Sequence, residues 1–208
     1  MELQFYGANC LIINTKQARI VIDDNLVELG AKSVTKNGDV AVFTHQHGNP
    51  KETPKLIIDG PGEYEVSGVT IQGISARAHM DEDNGTSATL YKILIDDIRL
   101  VITGHIYPDL SDRQLESIGI VDVLCIPVGG NGYTLDPDGA LKLIKEIEPK
   151  LVIPTHYADK SLNYPVPQKT LEEVLSVIGM EPIDRVNKLR IKIAELTDVT
   201  QLIVLEKN

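Results

Sequence analysis

The sequence predicts an α/β (α+β) fold of two β-sheets with helices packed outside them. Three observations lead there. Short apolar runs separated by turn residues fill the first half of the 208-residue chain. The second half alternates strands that read as fully buried with amphipathic helical segments. Strand-like sequence then returns near the end, and the order strands, βαβα, strands fits two layered sheets covered by helices.

Taken in order, residues 3–7 (LQFYG), 9–14 (NCLIIN) and 18–23 (ARIVID) read as a meander. Residues 39–44, 55–59, 68–74, 86–95 and 98–103 follow as strands, with Asp96-Asp97 as a tight hairpin turn. Runs such as VAVF and LVI are apolar without interruption, as strands covered on both faces are. Ser111 or Asp112 caps a short helix through Ile118, and residues 121–128 (VDVLCIPV) form a buried strand. Asp136-Pro137 then opens a helix with Asp as N-cap and Pro at its first position; Ala140, Leu141, Ile144 and Ile147 share one face, and Pro149 stops it. Residues 151–157 (LVIPTHY) are the next strand, and residues 167–180 the next amphipathic helix, from Pro167 to Gly179. Residues 185–196 and 199–206 are expected to close the chain as strands. No internal repeat or linker-like tract interrupts the series, so one domain over residues 1–208 is expected.

The chain holds 20 Lys and Arg against 30 Asp and Glu, a net charge of −10, and is 42% hydrophobic. That supports a packed core and excludes a disordered chain. Residues 1–140 carry 10 basic and 20 acidic side chains, and the remainder carries 10 of each. Such a surface repels phosphate backbones and anionic lipid, so neither nucleic acid nor a membrane is the expected partner. The first 15 residues lack a basic, then apolar, leader, and no run of about 18 apolar residues would make a membrane helix. Cys10 and Cys125 read as two free thiols in apolar strands, which suits a cytoplasmic protein.

The five histidines carry the functional signal. His45 and His47 follow one predicted strand, His105 and His156 each follow another, and His79 lies just beyond residues 68–74. Ligand sites of α/β proteins gather where loops leave strand ends. In an extended segment, residues i and i+2 point the same way, so His45 and His47 can reach one ion. Each histidine alone reads more simply as a hydrogen-bonded surface or core residue; their repeated placement raises a metal site to equal standing. Gly60-Pro61-Gly62 and Gly129-Gly130-Asn131-Gly132 read as tight turns, because neither has phosphate-loop spacing. Asp81-Glu82-Asp83 reads as a solvated loop that sets a carboxylate near His79.

With these residues in view, the chain resembles the metallo-β-lactamase fold superfamily, in particular the small Zn-dependent hydrolase-like branch that includes relatives of ascorbate-6-phosphate lactonase. The resemblance runs over nearly the whole length. It rests on Thr44-His45-Gln46-His47, the 60–65 stretch GPGEYE, the 121–130 stretch VDVLCIPVGG, Tyr133-Thr134-Leu135-Asp136 and the 149–157 stretch PKLVIPTHY. It implies an αββα sandwich of two mixed sheets with helices on the outer faces and the site at one edge of the sheets. It also implies His45, His47, His79 and His105 as metal-ligand candidates, His156 as the final histidine of the motif, and Asp23 as the carboxylate supporting the site from behind.

Active members carry His-x-His-x-Asp-His and a bridging Asp, and hold two metals. Here Asn49 replaces the first Asp, Pro50 the following His, and His105 the bridging Asp. A neutral imidazole has one free lone pair and a proline side chain has no donor, so the two-metal site is expected to be broken. What remains is a site for one divalent ion, zinc first, with Mn, Fe or Ni also accepted by nitrogen ligands. His45, His47 and His79 leave a fourth position open for water; adding His105 closes the site. His156, with an ordinary pKa of about 6.5, and Asn49 are the candidate catalytic residues. Asp81, Glu63, Tyr133 and Asp136 are placed near the pocket. The expected function is metal-dependent hydrolysis of a small ester, lactone, amide or phosphoester. The alternative is a catalytically silent scaffold that binds a ligand or protein partner, with a structural metal or none. Nuclease activity ranks behind both because of the charge, and a homo-oligomer is compatible with the closing strands.

Overall fold

The computed structural model describes residues 1–45 and 50–208. Strands β1 (Glu2–Gly7), β2 (Cys10–Asn14) and β3 (Arg19–Ile22) form the expected antiparallel meander. Strands β4 (Val40–Val42) and β5 (Leu56–Ile58) extend it in parallel. The second sheet begins with β6 (Gly62–Val66), β7 (Val69–Ala76), β8 (Ala88–Ile95) and β9 (Ile98–Ile102), all antiparallel to their neighbours in sequence. Asp96 and Asp97 both adopt positive φ (48° and 66°), which a two-residue hairpin turn of matching twist requires. Strands β10 (Val123–Pro127), β11 (Leu151–Thr155), β12 (Asp184–Val186) and β14 (Gln201–Leu205) continue that sheet in parallel, while β13 (Leu189–Arg190) joins the first. The orders are β13-β1-β2-β3-β4-β5 and β12-β14-β11-β10-β9-β8-β7-β6.

The period of two decides which residue goes where. In β10, Val123 and Cys125 join the core between the sheets, and Leu124 and Ile126 join the core beneath the helices. Leu151 and Ile153 against Val152 divide β11 in the same way, so an unbroken apolar run becomes two alternating faces. Both thiols are free and buried.

Helix α1 (Asp112–Ile118) is capped by Ser111, whose hydroxyl accepts from the Gln114 N–H. Helix α2 (Pro137–Ile147) is capped by Asp136, and buries Ala140, Leu143, Ile144 and Ile147. Each fully buried aliphatic side chain contributes about 1.5–3 kcal/mol, far more than helix propensity, so this stripe fixes how α2 packs. Helix α3 (Leu171–Ile178) starts at Thr170 rather than Pro167. Thr170 and Glu173 form a reciprocal capping box, and the Lys169 N–H is committed to the Gly129 carbonyl at 2.9 Å, which holds the preceding residues out of the helix.

Buried residues of all three helices share one core on the outer face of the eight-stranded sheet. On the outer face of the six-stranded sheet, Cys10, Ile12 and Val21 pack instead with Leu26, Leu29, Val34 and Leu162 from loops. The sandwich stands as expected, with its helical cover among the described residues on one side.

Two other expectations are corrected. Residues 185–196 are not one strand: β12 lies in one sheet and β13 in the other, followed by a 3-10 turn at 193–195. Of that run only Ile191 is buried, so no continuous face holds it to either sheet. The turn at Gly60-Pro61 leads directly into β6, a strand the sequence reading omitted; exposed Glu63 and Glu65 blunt this sheet edge.

Candidate active site: an imidazole-lined cavity

The loops that follow β4, β7 and β9 bring His45, His79 and His105 to one cavity of about 140 Å³, which Asp23, Glu28 and Tyr133 also line. A smaller inner lobe of about 40 Å³ shares Asp23, Glu28, His105 and Tyr133 and adds Asn9 and His156. His45, His79, His105 and His156 therefore all line these two adjoining lobes. His47 and Asn49 lie outside the described residues.

His79 and His105 meet because Ala78 and Ile106 form a short antiparallel bridge, and the His79 N–H donates to the His105 carbonyl at 2.8 Å. The Nδ1 of His79 is buried without a hydrogen-bond partner. Burial lowers the His79 pKa; Asp136 raises it and Arg77 lowers it. Burial, then His156 and His45, hold the His105 pKa well below the ordinary value. Its Nδ1 lies 3.3 Å from the Tyr133 carbonyl, an acceptor only, so Nδ1 carries the proton and Nε2 keeps a lone pair.

On the other side of the cavity, His45 Nε2 lies 3.2 Å from Ser87 Oγ. That hydroxyl already donates to Asp81 Oδ1 at 2.5 Å, so toward His45 it accepts, and the free lone pair of His45 is on Nδ1. Asp81 thus acts through Ser87. The Ser87 hydroxyl and N–H and the Ala78 N–H keep its carboxyl below the usual carboxylate range.

His156 departs from expectation. It is 2% exposed and takes positive φ (56°) at the end of β11, with its N–H donating to the Ala8 carbonyl at 2.7 Å. Gln168 Nε2 donates to the Val166 carbonyl at 3.0 Å, which turns Gln168 Oε1 toward His156 Nδ1 at 3.2 Å. The Nδ1 proton is fixed by that acceptor, and Nε2 is the lone-pair nitrogen. Burial lowers the His156 pKa to about 4, so it is a neutral imidazole and a weak base at pH 7, not the ordinary titrating histidine expected from the sequence. Its ring meets that of His105 edge-on at 4.8 Å and lies 5.1 Å from that of Tyr164.

Asp23 is buried at the end of β3, and both its oxygens are committed to Thr44, at 2.7 Å from its N–H and 2.6 Å from its hydroxyl. It supports the segment that carries His45. Tyr133 lies at the wall, its ring 5.0 Å from that of His105, and burial raises its pKa so that the phenol stays protonated. Asp136 is spent on capping α2, reaching His79 only through its field. Glu63 sits exposed on edge strand β6 and does not line the cavity.

Among the described residues no three His, Cys, Asp or Glu side chains lie close enough together to hold an ion. The chemistry nevertheless suits one nitrogen-bound ion: neutral imidazoles are the metal-binding form, and His79 Nδ1 is buried with nothing to bond. Asp23, a carboxylate of the cavity wall, has both oxygens committed to Thr44.

The sequence reading missed Asn9, Glu28, Ser87 and Gln168. Asn9 meets Thr155 across 146 positions and Gln168 meets His156 across 12, and neither spacing carries a motif. The tight Gly129 turn was the one available pointer to Gln168: a Cβ there would overlap the Gln168 side chain and the His156 carbonyl.

The chain matches the model of the beta-lactamase superfamily domain over residues 2–156. It is similar to a UPF0173 metal-dependent hydrolase of Thermococcus onnurineus, 27% identical over 194 residues, covering 76% of this chain and 84% of that protein. It is likewise similar to a UPF0173 protein of Pyrococcus abyssi, 24% identical over 180 residues, covering 76% and 83%. Among solved structures, a Thermotoga maritima chain assigned to the Zn-dependent hydrolases of the metallo-β-lactamase superfamily superimposes with a TM-score of 0.76 at 24% identity, covering 99% of this chain and 98% of that one. Likeness at that identity speaks for the fold. No helix among the described residues is long and apolar enough to cross a membrane.

Proposed function

The chain belongs to the beta-lactamase superfamily domain family, and from that membership we propose that it is a metal-dependent hydrolase acting on a small molecule in the imidazole-lined cavity. The relatives named metal-dependent hydrolases support the reaction class. The observation that carries the reading to this site is the convergence of His45, His79 and His105 on one cavity, with His79 Nδ1 buried and unpartnered.

His45, His79 and, from outside the described residues, His47 would hold one divalent ion, zinc by preference. Such an ion supplies Lewis acidity toward a carbonyl or phosphoryl oxygen and makes water a better nucleophile. The chain's own groups do the positioning. Asp23 and Thr44 fix the start of the His45 segment. Ser87 sets the His45 tautomer. Tyr133 offers a protonated phenol to the substrate, and His156 presents the Nε2 lone pair as a neutral acceptor. We read residues 1–208 as one domain of a cytoplasmic protein, a reading the two free buried thiols support.

A second reading is a silent scaffold, favoured because among the described residues no three His, Cys, Asp or Glu side chains are placed to hold one ion, although three histidines line the cavity. Metal content of tag-free protein, with His79→Ala as control, separates the two when paired with a chelator-sensitive assay on p-nitrophenyl acetate. About one ion per chain, lost in the variant together with turnover, is the expected result. Metal-free, inactive protein after incubation with zinc overturns the hydrolase in favour of the scaffold.

A further inference from the structure

The four described histidines of the cavity are not held in the same way. A hydrogen bond fixes three of the rings: His45 Nε2 meets Ser87 Oγ, His105 Nδ1 meets the Tyr133 carbonyl, and His156 Nδ1 meets Gln168 Oε1. The His79 ring has no hydrogen-bond partner among the described residues, and its Nδ1 is buried without one. Metal-binding imidazoles are ordinarily oriented by a hydrogen bond at the second ring nitrogen. A different contact has to set the rotation of this ring.

The backbone brings that contact into place. Residues 77–79 and 105–107 run antiparallel around the Ala78–Ile106 bridge, with the His79 N–H on the His105 carbonyl and the Tyr107 N–H on the Arg77 carbonyl, each at 2.8 Å. Side chains alternate along such a ladder. Ala78 and Ile106 are buried in the core beneath the helices, so Arg77, His79, His105 and Tyr107 share the other face. Tyr107 lies opposite Arg77 and diagonal to His79, within reach of both. Its ring centroid is 5.6 Å from that of His79, with 37° between the planes, and the Arg77 guanidinium carbon lies 4.1 Å from the Tyr107 centroid. The guanidinium is itself anchored. Its Nε and Nη2 donate to the Asp81 carbonyl at 3.3 and 3.0 Å, and Nη1 pairs with Asp83 at 3.0 Å. Asp83 is exposed, so the carbonyl is the firmer anchor.

We propose that Tyr107, backed by Arg77, is the positioning residue of His79: ring packing sets the rotation of this imidazole as hydrogen bonds set the other three. Tyr107 does not line either lobe, so it acts through His79. The inference rests on the proposed metal site for its purpose and deepens that reading, while its geometry is independent of any ion.

Imidazole ¹H–¹⁵N NMR of the full chain reads each ring separately, with every signal assigned by its loss on His→Gln substitution. Tyr107→Leu is expected to split or exchange-broaden the His79 signals while those of His45, His105 and His156 stay single and sharp. Tyr107→Phe, which keeps the ring, should leave all four as in wild type. Loss of a ring current moves a signal without splitting it, so splitting and broadening read orientation. The Kd for Zn²⁺, from competition with a chromophoric chelator, should rise about tenfold in Tyr107→Leu and stay within about twofold of wild type in Tyr107→Phe. A single sharp His79 set in Tyr107→Leu, a Tyr107→Phe variant as broadened as Tyr107→Leu, or equal broadening of all four rings overturns the proposal. If Tyr107→Leu does not fold, Arg77→Leu, at a partly exposed side chain, takes its place with the same expected and overturning results. Broadened His79 signals with unchanged zinc affinity, or in a protein that binds no zinc, would retire the metal reading of His79 and keep the positioning; sharp signals in an active, zinc-dependent hydrolase would retire the positioning alone.

Discussion

Asp23 holds Thr44 with both carboxylate oxygens, one on the backbone N–H at 2.7 Å and one on the hydroxyl at 2.6 Å, across 21 positions of chain. The end of β3 is thereby tied to the residue before His45. Burial pushes the Asp23 carboxyl up to about 6, against the opposing effect of the two Thr44 bonds. The bonds orient the group, and desolvation sets its pKa.

The sign of the resulting pH dependence is specific. A carboxyl whose pKa is raised on folding binds protons more tightly in the native state, so its contribution is full below about pH 4 and is lost as pH rises through about 6. The stability of wild type relative to Asp23→Asn should therefore fall by about 2–3 kcal/mol between pH 4 and 7. Urea unfolding at four or five pH values measures it, and a difference that rises with pH contradicts the assignment.

Asp122 predicts the opposite slope. It is fully buried, and desolvation raises its pKa. Arg99 outweighs that effect with two side-chain bonds at 2.7 and 2.9 Å and a backbone N–H at 2.9 Å, and Lys150 stands at 3.7 Å. Its carboxyl lies below the usual range, so its contribution is present above about pH 4 and disappears on acidification. Asp122→Ala should cost about 3–5 kcal/mol at pH 7, with the gap to wild type closing toward pH 2.

Gly104 takes φ +60°, and a Cβ there would overlap Thr44 Oγ1 and Cβ. Gly104→Ala combines a left-handed residue with a collision at the Asp23–Thr44 contact. A loss of about 2–4 kcal/mol is expected, seen as a lowered Tm, and His45 should show displaced NMR signals. Wild-type stability in the variant would mean the chain there is free to move.

Gln168→Leu removes the acceptor that fixes the His156 proton on Nδ1. In wild type at pH 7, ¹⁵N chemical shifts should report a protonated Nδ1 and a bare Nε2, with no imidazolium forming until near pH 4. The variant should show a mixture of tautomers. An unchanged pattern would show that a group other than Gln168 sets it.

Much of this architecture can be read without coordinates, and the reason is physical. His45, His105 and His156 follow apolar runs whose burial forces strand geometry, so their convergence follows from where hydrophobic sequence stops. Caps were equally legible, since Ser111 and Asp136 act within three residues of themselves. Partners brought close only by the sandwich were not. Asn9 with Thr155, Ser87 with His45 and Gln168 with His156 satisfy no local rule, and the pKa of His156 follows from burial that its own neighbours in sequence do not announce. Strand β6 was hidden for another reason: three of its five residues are exposed, including both glutamates, so its hydrophobic signal is too thin.

The two ends of the chain share one edge of the first sheet. Strand β1 lies between β2 and β13, Phe5 bridges Lys207, and the Asn208 N–H donates to the Phe5 carbonyl at 2.9 Å. Strand β1 (Glu2–Gly7) is synthesised before its outer partner β13 (Leu189–Arg190), and the roughly 180 residues between them take on the order of 10–40 s to make. During that time β1 has a neighbour on one side only, and its free edge is a template for any strand that passes. Closure by distant residues slows folding, so yield in the cell should depend on chaperone supply and on translation speed between β1 and β13.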